Sequence, residues 1–114
     1  MKKSASPVFP TPRKNRPNVL SLAGEIDHVS PTIRTSLNRM IAKKPKRLVV
    51  DLSGVSFIDS AGLGAVIEAM HEVEYGGKFA LVDLQETVRS IFKMLRLDQA
   101  FSIFPDVDTA LAAA

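Results

Sequence analysis

One stretch limits the fold more than any other: Leu48-Val49-Val50-Asp51-Leu52-Ser53-Gly54-Val55-Ser56-Phe57-Ile58-Asp59-Ser60-Ala61-Gly62-Leu63-Gly64. It opens as a short, apolar, β-branched run, the pattern of a buried strand. It then passes through Gly54 and reaches Asp59-Ser60 where an apolar-periodic helix begins. That position makes Ser60 the expected cap of the helix, with its hydroxyl at the end where backbone N–H groups lack partners. The local field there is positive and favours a phosphate. Ser60 is therefore a candidate switch.

The same alternation of short strands and amphipathic helices runs through the rest of the chain. Val19 to Ile26 reads as a strand, and Ser30-Pro31 as an N-cap followed by proline at the first helical position. Ile33, Leu37, Met40 and Ile41 share one face of a helix reaching about Lys44. Arg47 to Leu52 is the next strand, and the helix opened at Ser60 stops at Gly76-Gly77. A strand follows at Lys78 to Asp83, then a helix from Glu86 to about Leu95 with Val88, Ile91, Phe92 and Leu95 as its stripe. Phe101 to Phe104 is a short last strand, and Asp106 is placed to cap a closing helix at Val107 to Ala113. Strands separated by helices of this length need crossover connections, which implies a mostly parallel sheet and an α/β fold.

At 114 residues the chain has room for one domain. Charge divides it unevenly. Residues 1–17 hold five basic residues (Lys2, Lys3, Arg13, Lys14, Arg16) and no acidic one, whereas the remainder holds ten basic and twelve acidic residues. With Pro7, Pro10, Pro12 and Pro17 in it, that first stretch reads as a flexible basic extension carrying at most a short edge strand at Pro7-Val8-Phe9. The expected division is 1–17 as extension and 18–114 as domain. There is no cysteine, which rules out disulfides and cysteine-based zinc sites and agrees with a reducing cytoplasm. No apolar run reaches the ~18 residues of a membrane span, and Lys2-Lys3 is followed by Ser, Pro and charge rather than by a signal-peptide core.

The segment Asp51 to Gly64 closely resembles the signature of STAS domains, specifically the bacterial anti-sigma factor antagonists. In that family an apolar strand ends in Asp, and a loop leads to Asp-Ser-(Ser/Thr)-Gly-Leu-Gly, matched here by Asp59-Ser60-Ala61-Gly62-Leu63-Gly64. Upstream, Leu22-Ala23-Gly24-Glu25-Ile26-Asp27 resembles the family's Leu-x-Gly-Glu-Leu-Asp. The resemblance covers about residues 18 to 114, with Ala61 as a departure where the family usually carries Ser or Thr. It implies a single STAS domain, a mixed and mostly parallel sheet with helices packed against it, in βαβαβαβα order from residue 19. It also implies that Ser60 is the phosphorylated serine. The partner surface would centre on Asp59 and Ser60, with Asp27, Ala61, Gly62 and Leu63 around it, and the exposed side of the helix from Ala61 to Tyr75 would face the kinase.

Other chemistries fit poorly. Gly62 and Gly64 satisfy neither G-x-x-x-x-G-K-[ST] nor G-x-G-x-x-G, so a nucleotide-cradling loop is not expected; close approach near Ser60 is their expected role. Ile58 stands where a hydrolase elbow needs glycine. His28, in the turn after Asp27, and His71, in mid-helix among Glu68, Glu72 and Glu74, are the only imidazoles, and His71-Glu72-Val73-Glu74-Tyr75 lacks the second histidine of a zinc motif. No catalytic residue, metal or cofactor is expected. Asp51 reads as a strand-ending residue that orders the following loop. Lys43, Lys44, Lys46 and Arg47 around Pro45 read as a solvated connection rather than a nucleic-acid site.

The resemblance thus implies a cytoplasmic partner-switching regulator and not an enzyme. The unphosphorylated form would bind an anti-sigma factor that is also a serine kinase of the Bergerat ATPase type, freeing the sigma factor. Phosphorylation of Ser60 would end binding, and a metal-dependent serine phosphatase would restore it. No direct nucleic-acid contact and no membrane insertion are expected. The alternative is a STAS subunit docked without a switch on the ATPase of a lipid-transport ABC complex.

Overall fold

The computed structural model describes residues 11–13, 16–26 and 31–113. Five strands and four helices alternate along them: β1 (Thr11–Arg13), β2 (Arg16–Ile26), α1 (Pro31–Ala42), β3 (Arg47–Ile58), α2 (Ser60–Glu74), β4 (Lys78–Val82), α3 (Glu86–Met94), β5 (Ser102–Phe104) and α4 (Val107–Ala112). A single 3-10 turn at Leu97–Gln99 joins α3 to β5. The strands lie in sequence order in one sheet. The β1–β2 pair is antiparallel, and β2, β3, β4 and β5 pair parallel, as the helix-length connections require.

Alternation along the strands divides the core in two. Leu20, Leu22, Leu48, Val50, Leu52, Phe79 and Leu81 pack beneath α1, α2 and α3. Val19, Val49, Ala80 and Val82 pack on the other face against Val107 and Ala110 of α4. Phe101 anchors the larger cluster, with its ring 6.1 Å from Phe79 and 5.4 Å, edge-on, from Phe92.

Three details depart from the sequence expectations. The edge strand forms at Thr11–Arg13, inside the stretch read as a flexible extension, and the Pro7-Val8-Phe9 position lies outside the described residues. An edge strand tolerates Pro12 because a missing N–H there costs no second ladder. β3 does not end at Leu52 but continues to Ile58. Arg47, read as part of a solvated connection, reaches across the sheet and donates to the carbonyls of Leu111 (2.6 Å) and Ala113 (3.1 Å), so it closes the C-terminal end of α4.

Asp106 caps α4 as expected, accepting the Thr109 N–H at 2.7 Å. That bond holds the Asp106 carboxyl below its ordinary pKa. A depressed folded-state pKa stabilises above the unfolded-state pKa, and the stabilisation is lost as pH falls through the folded value. The protection of the Thr109 and Ala110 amides, followed by NMR and corrected for the intrinsic pH dependence of exchange, is expected to fall on acidification in that range, and Asp106→Asn is expected to remove the dependence.

Candidate functional site

The site is built where β3 leaves its regular register. Ser21 faces Asp51 on the neighbouring strand, but Ala23 faces Gly54, and then Gly24 faces Val55 while Glu25 faces Phe57. At each shift β3 spends one residue more than β2, which makes two successive bulges. Asp51 pins the first. It is buried, its Oδ1 accepts the Ser53 N–H at 2.9 Å, and its Oδ2 accepts from the Ser21 hydroxyl at 3.2 Å. The Gln85 side-chain amide donates to the Ser53 carbonyl at 2.7 Å, so both backbone groups of Ser53 are held. Asp51 therefore orders this segment from within the strand rather than from its end.

Two glycines let β2 and β3 close across the bulges. A Cβ on Gly54 would stand 2.9 Å from that of Ala23, and Gly24 has a φ of 100°, a conformation L side chains rarely adopt.

The second bulge re-aims the tip. With strict alternation Phe57 would share the inward face of Val55. The extra residue instead leaves Ser56 and Phe57 both outward between buried Val55 and Ile58, and Phe57 is 41% exposed. A large aromatic side chain thus stands open within three residues of Ser60. Sequence reasoning missed it, because a bulge leaves no mark in a hydrophobic pattern.

At the start of α2 the cap is Asp59, not Ser60. Asp59 is extended (φ −101°, ψ −176°), and its Oδ1 accepts the Gly62 N–H at 2.8 Å. Its carbonyl accepts the Leu63 N–H at 2.8 Å, which removes the donor a capping Ser60 would need. Ser60 is consequently the first helical residue and lies exposed. Its hydroxyl is not required for the cap, yet it sits in the turn whose leading N–H groups have no carbonyl a turn earlier.

The expected partner-surface residues separate by environment. Ser60 and Ala61 are exposed and Asp59 is half-buried. Gly62 and Leu63 turn into the core, where they seat the helix. Asp27 and His28 lie outside the described residues. Along α2 the exposed positions are Ser60, Ala61, Glu68, His71, Glu72 and Glu74, with Gly64 half-exposed one turn after Ser60 and Ile67 half-exposed beyond it. His71 is exposed on the second half of the helix, away from the serine. The geometry offers a hydroxyl, an acidic neighbour, an aromatic side chain and a helix N-terminus at one edge.

The STAS domain family model matches residues 9–110. The anti-sigma-F factor antagonist RsfB of Mycobacterium tuberculosis is 31% identical over 94 residues, covering 82% of this chain and 77% of the relative. Among solved structures, an anti-sigma factor antagonist from Mycobacterium paratuberculosis superposes with a TM-score of 0.80 at 28% identity, over 93% of this chain and 91% of that one. The Bacillus cell fate determinant SpoIIAA in its phosphorylated form shares the fold, with a TM-score of 0.66 at 21% identity over 90% of this chain and 96% of that one. Among the described residues no helix is long and apolar enough to cross a membrane.

Proposed function

Because this chain belongs to the STAS domain family, with relatives named as anti-sigma factor antagonists, we propose that it is a partner-switching antagonist controlled at Ser60. The observation that carries the reading is the division of labour at the start of α2: Asp59 caps the helix, and Ser60 is left exposed beside it. A serine freed from capping can be modified without dismantling the element that presents it. The unphosphorylated edge binds an anti-sigma factor in the cytoplasm and thereby releases a sigma factor. The anti-sigma factor is also an ATP-dependent serine kinase of the Bergerat type. The γ-phosphoryl group passes from ATP to the Ser60 Oγ, the hydroxyl loses its proton, and ADP leaves. A metal-dependent serine phosphatase hydrolyses the ester and resets the cycle. The chain is the substrate of both enzymes.

Electrostatics give the switch its sign. A phosphate adds about −1.5 to −2 charges and three acceptor oxygens. The N-terminal end of α2 offsets part of that charge, so the fold survives it. A partner surface fitted to a neutral hydroxyl next to Asp59 meets added bulk and negative charge. Binding is lost while the antagonist stays folded. By its position in the family motif, Asp27 is assigned a part in partner binding.

Gly64 supports a close docking of the partner backbone along α2. A methyl group added there would meet nothing within 4 Å, so the fold itself makes no demand for glycine. Glycine inside a helix costs about 1 kcal/mol relative to alanine. Gly64→Ala is expected to raise the melting temperature by a few degrees and to weaken anti-sigma factor binding. A stabler variant with unchanged affinity would place the partner elsewhere on the molecule.

The direct test of the proposal is to incubate the purified chain with its anti-sigma factor and ATP and to locate the phosphate by fragment mass spectrometry. The expected site is Ser60. Phosphate on Ser53 or Ser56, or none at all, rejects this assignment.

A further inference from the structure

The molecule is electrically polar along its strands. At the end where β3, β4 and β5 finish, positions 59–60, 83–86 and 105–106 carry Asp59, Asp83, Glu86 and Asp106 and no Lys or Arg, with Arg89 following in the first turn of α3. The opposite end, where those strands start and α1, α2 and α3 stop, carries Lys43, Lys44, Lys46, Lys78, Lys93 and Arg96, against Glu72, Glu74 and Asp98. Three of the four large apolar side chains exposed among the described residues are also here: Tyr75 at 97%, Met94 at 77% and Leu95 at 53%. The fourth, Phe57, belongs to the Ser60 edge.

The groups on the α1–β3 and α2–β4 connections lie together. The Lys78 N–H donates to the Lys46 carbonyl at 2.9 Å, tying the α1–β3 connection to the α2–β4 turn. Lys46, Tyr75 and Lys78 line one shallow hollow together with Glu74, and Lys44 and Tyr75 line the next together with Glu72, so lysine exceeds glutamate in the first and balances it in the second. Helix C-termini attract some cations through the helix dipole. That explains Lys43 and Lys93, but it asks for no exposed Tyr, Met or Leu.

We propose that this basic end is a peripheral docking surface for an anionic lipid bilayer, separate from the Ser60 edge. Lysine stems and an exposed Tyr, Met and Leu suit the boundary between headgroups and acyl chains, where ammonium groups reach phosphates while apolar atoms leave water. A nucleic-acid surface would have no use for exposed Met94 and Leu95. β3 sets the two ends roughly 35 Å apart at about 3.3 Å per residue, several times the ~8 Å screening length. A bilayer held at one end therefore leaves Ser60 directed into solution. Docking by this end concentrates the switch at a membrane without inserting a helix.

Flotation of the full-length chain with vesicles tests the proposal, using phosphatidylcholine alone and phosphatidylcholine with about one third phosphatidylglycerol. Wild type is expected to float only with the anionic vesicles. Each surface lysine changes such binding about fivefold, so the triple charge reversal Lys44→Glu, Lys46→Glu, Lys78→Glu is expected to abolish flotation. The double variant Tyr75→Ser, Met94→Ser is expected to bind about tenfold more weakly. All variants should keep the circular dichroism of the wild type. Absence of wild-type flotation overturns the proposal, as does full binding by the triple variant, which would move the contact to another basic segment. Binding that resists the Tyr75 and Met94 changes and is displaced by RNA at equal charge identifies a polyanion site instead.

Discussion

Ser60→Asp is expected to bind the anti-sigma factor about a hundredfold more weakly than the wild type, and Ser60→Ala to bind it with undiminished affinity. Placing an unmatched charge in an interface costs several kcal/mol, of which ~2.7 kcal/mol already corresponds to that factor. The added carboxylate stands next to Asp59, so the partner would have to accommodate two adjacent negative groups where it now meets one. Neither substitution touches the cap, because the Asp59 carboxylate receives the Gly62 N–H. Both variants should therefore melt close to the wild type. A cap substitution behaves differently: Asp59→Ala is expected to cost about 1 kcal/mol and so to mix a stability effect with any binding effect. Titration calorimetry for affinity and thermal unfolding for stability separate the two. Equal affinity of Ser60→Ala and Ser60→Asp would remove the switch.

The largest stability effect is expected at Phe92, not at the switch. Its side chain is fully buried on α3 and meets Phe101 edge-on at 5.4 Å, and Phe101 in turn packs on Phe79 of β4. This aromatic chain ties α3 to the sheet. Phe92→Ala removes the contact with Phe101 and leaves a cavity between rigid neighbours, at a cost of about 3–5 kcal/mol. That is a large share of the ~5–15 kcal/mol typical of a whole domain. Urea unfolding is expected to show a much lower midpoint with an unchanged slope. A loss below about 1 kcal/mol would mean that α3 is not seated as described. The α3 N-terminus follows the β4–α3 connection, where Gln85 holds Ser53. Weak seating of α3 should therefore also loosen the bulge beneath the Ser60 edge.

What was legible in the sequence, and what was not, follows from the range of each interaction. Asp106 capping Thr109 acts over three residues, and so do the helix stripes through Leu37 and Phe92; such local signals place elements within a residue or two. The Asp59-Ser60 pair shows the limit of local reading. Both side chains are good caps, and the choice between them depends on where the bulged end of β3 delivers the chain. The bulges depend on contacts between strands: Ser21 with Asp51 across 30 residues, and Gln85 with Ser53 across 32. Phe57 was hidden for the same reason, since its outward direction is set by pairing with Glu25 and not by its own neighbours. Arg47 is the longest case. It looked like one more residue of a basic run, but its partners, the carbonyls of Leu111 and Ala113, lie 64 and 66 residues on. The family motif pointed to Ser60 without any of this geometry. It did not show that the serine is spared from capping, which is the feature the proposed switch relies on.

The central claim is that the unmodified Ser60 edge displaces a sigma factor and the phosphorylated edge does not. The most direct measurement starts from a purified complex of sigma factor and anti-sigma factor, to which the unphosphorylated or the Ser60-phosphorylated chain is added. Free sigma factor is then followed by size-exclusion chromatography. The account predicts release in proportion to the unphosphorylated chain added and none with the phosphorylated chain. Sigma factor that stays bound in both cases, or is released equally by both, contradicts it.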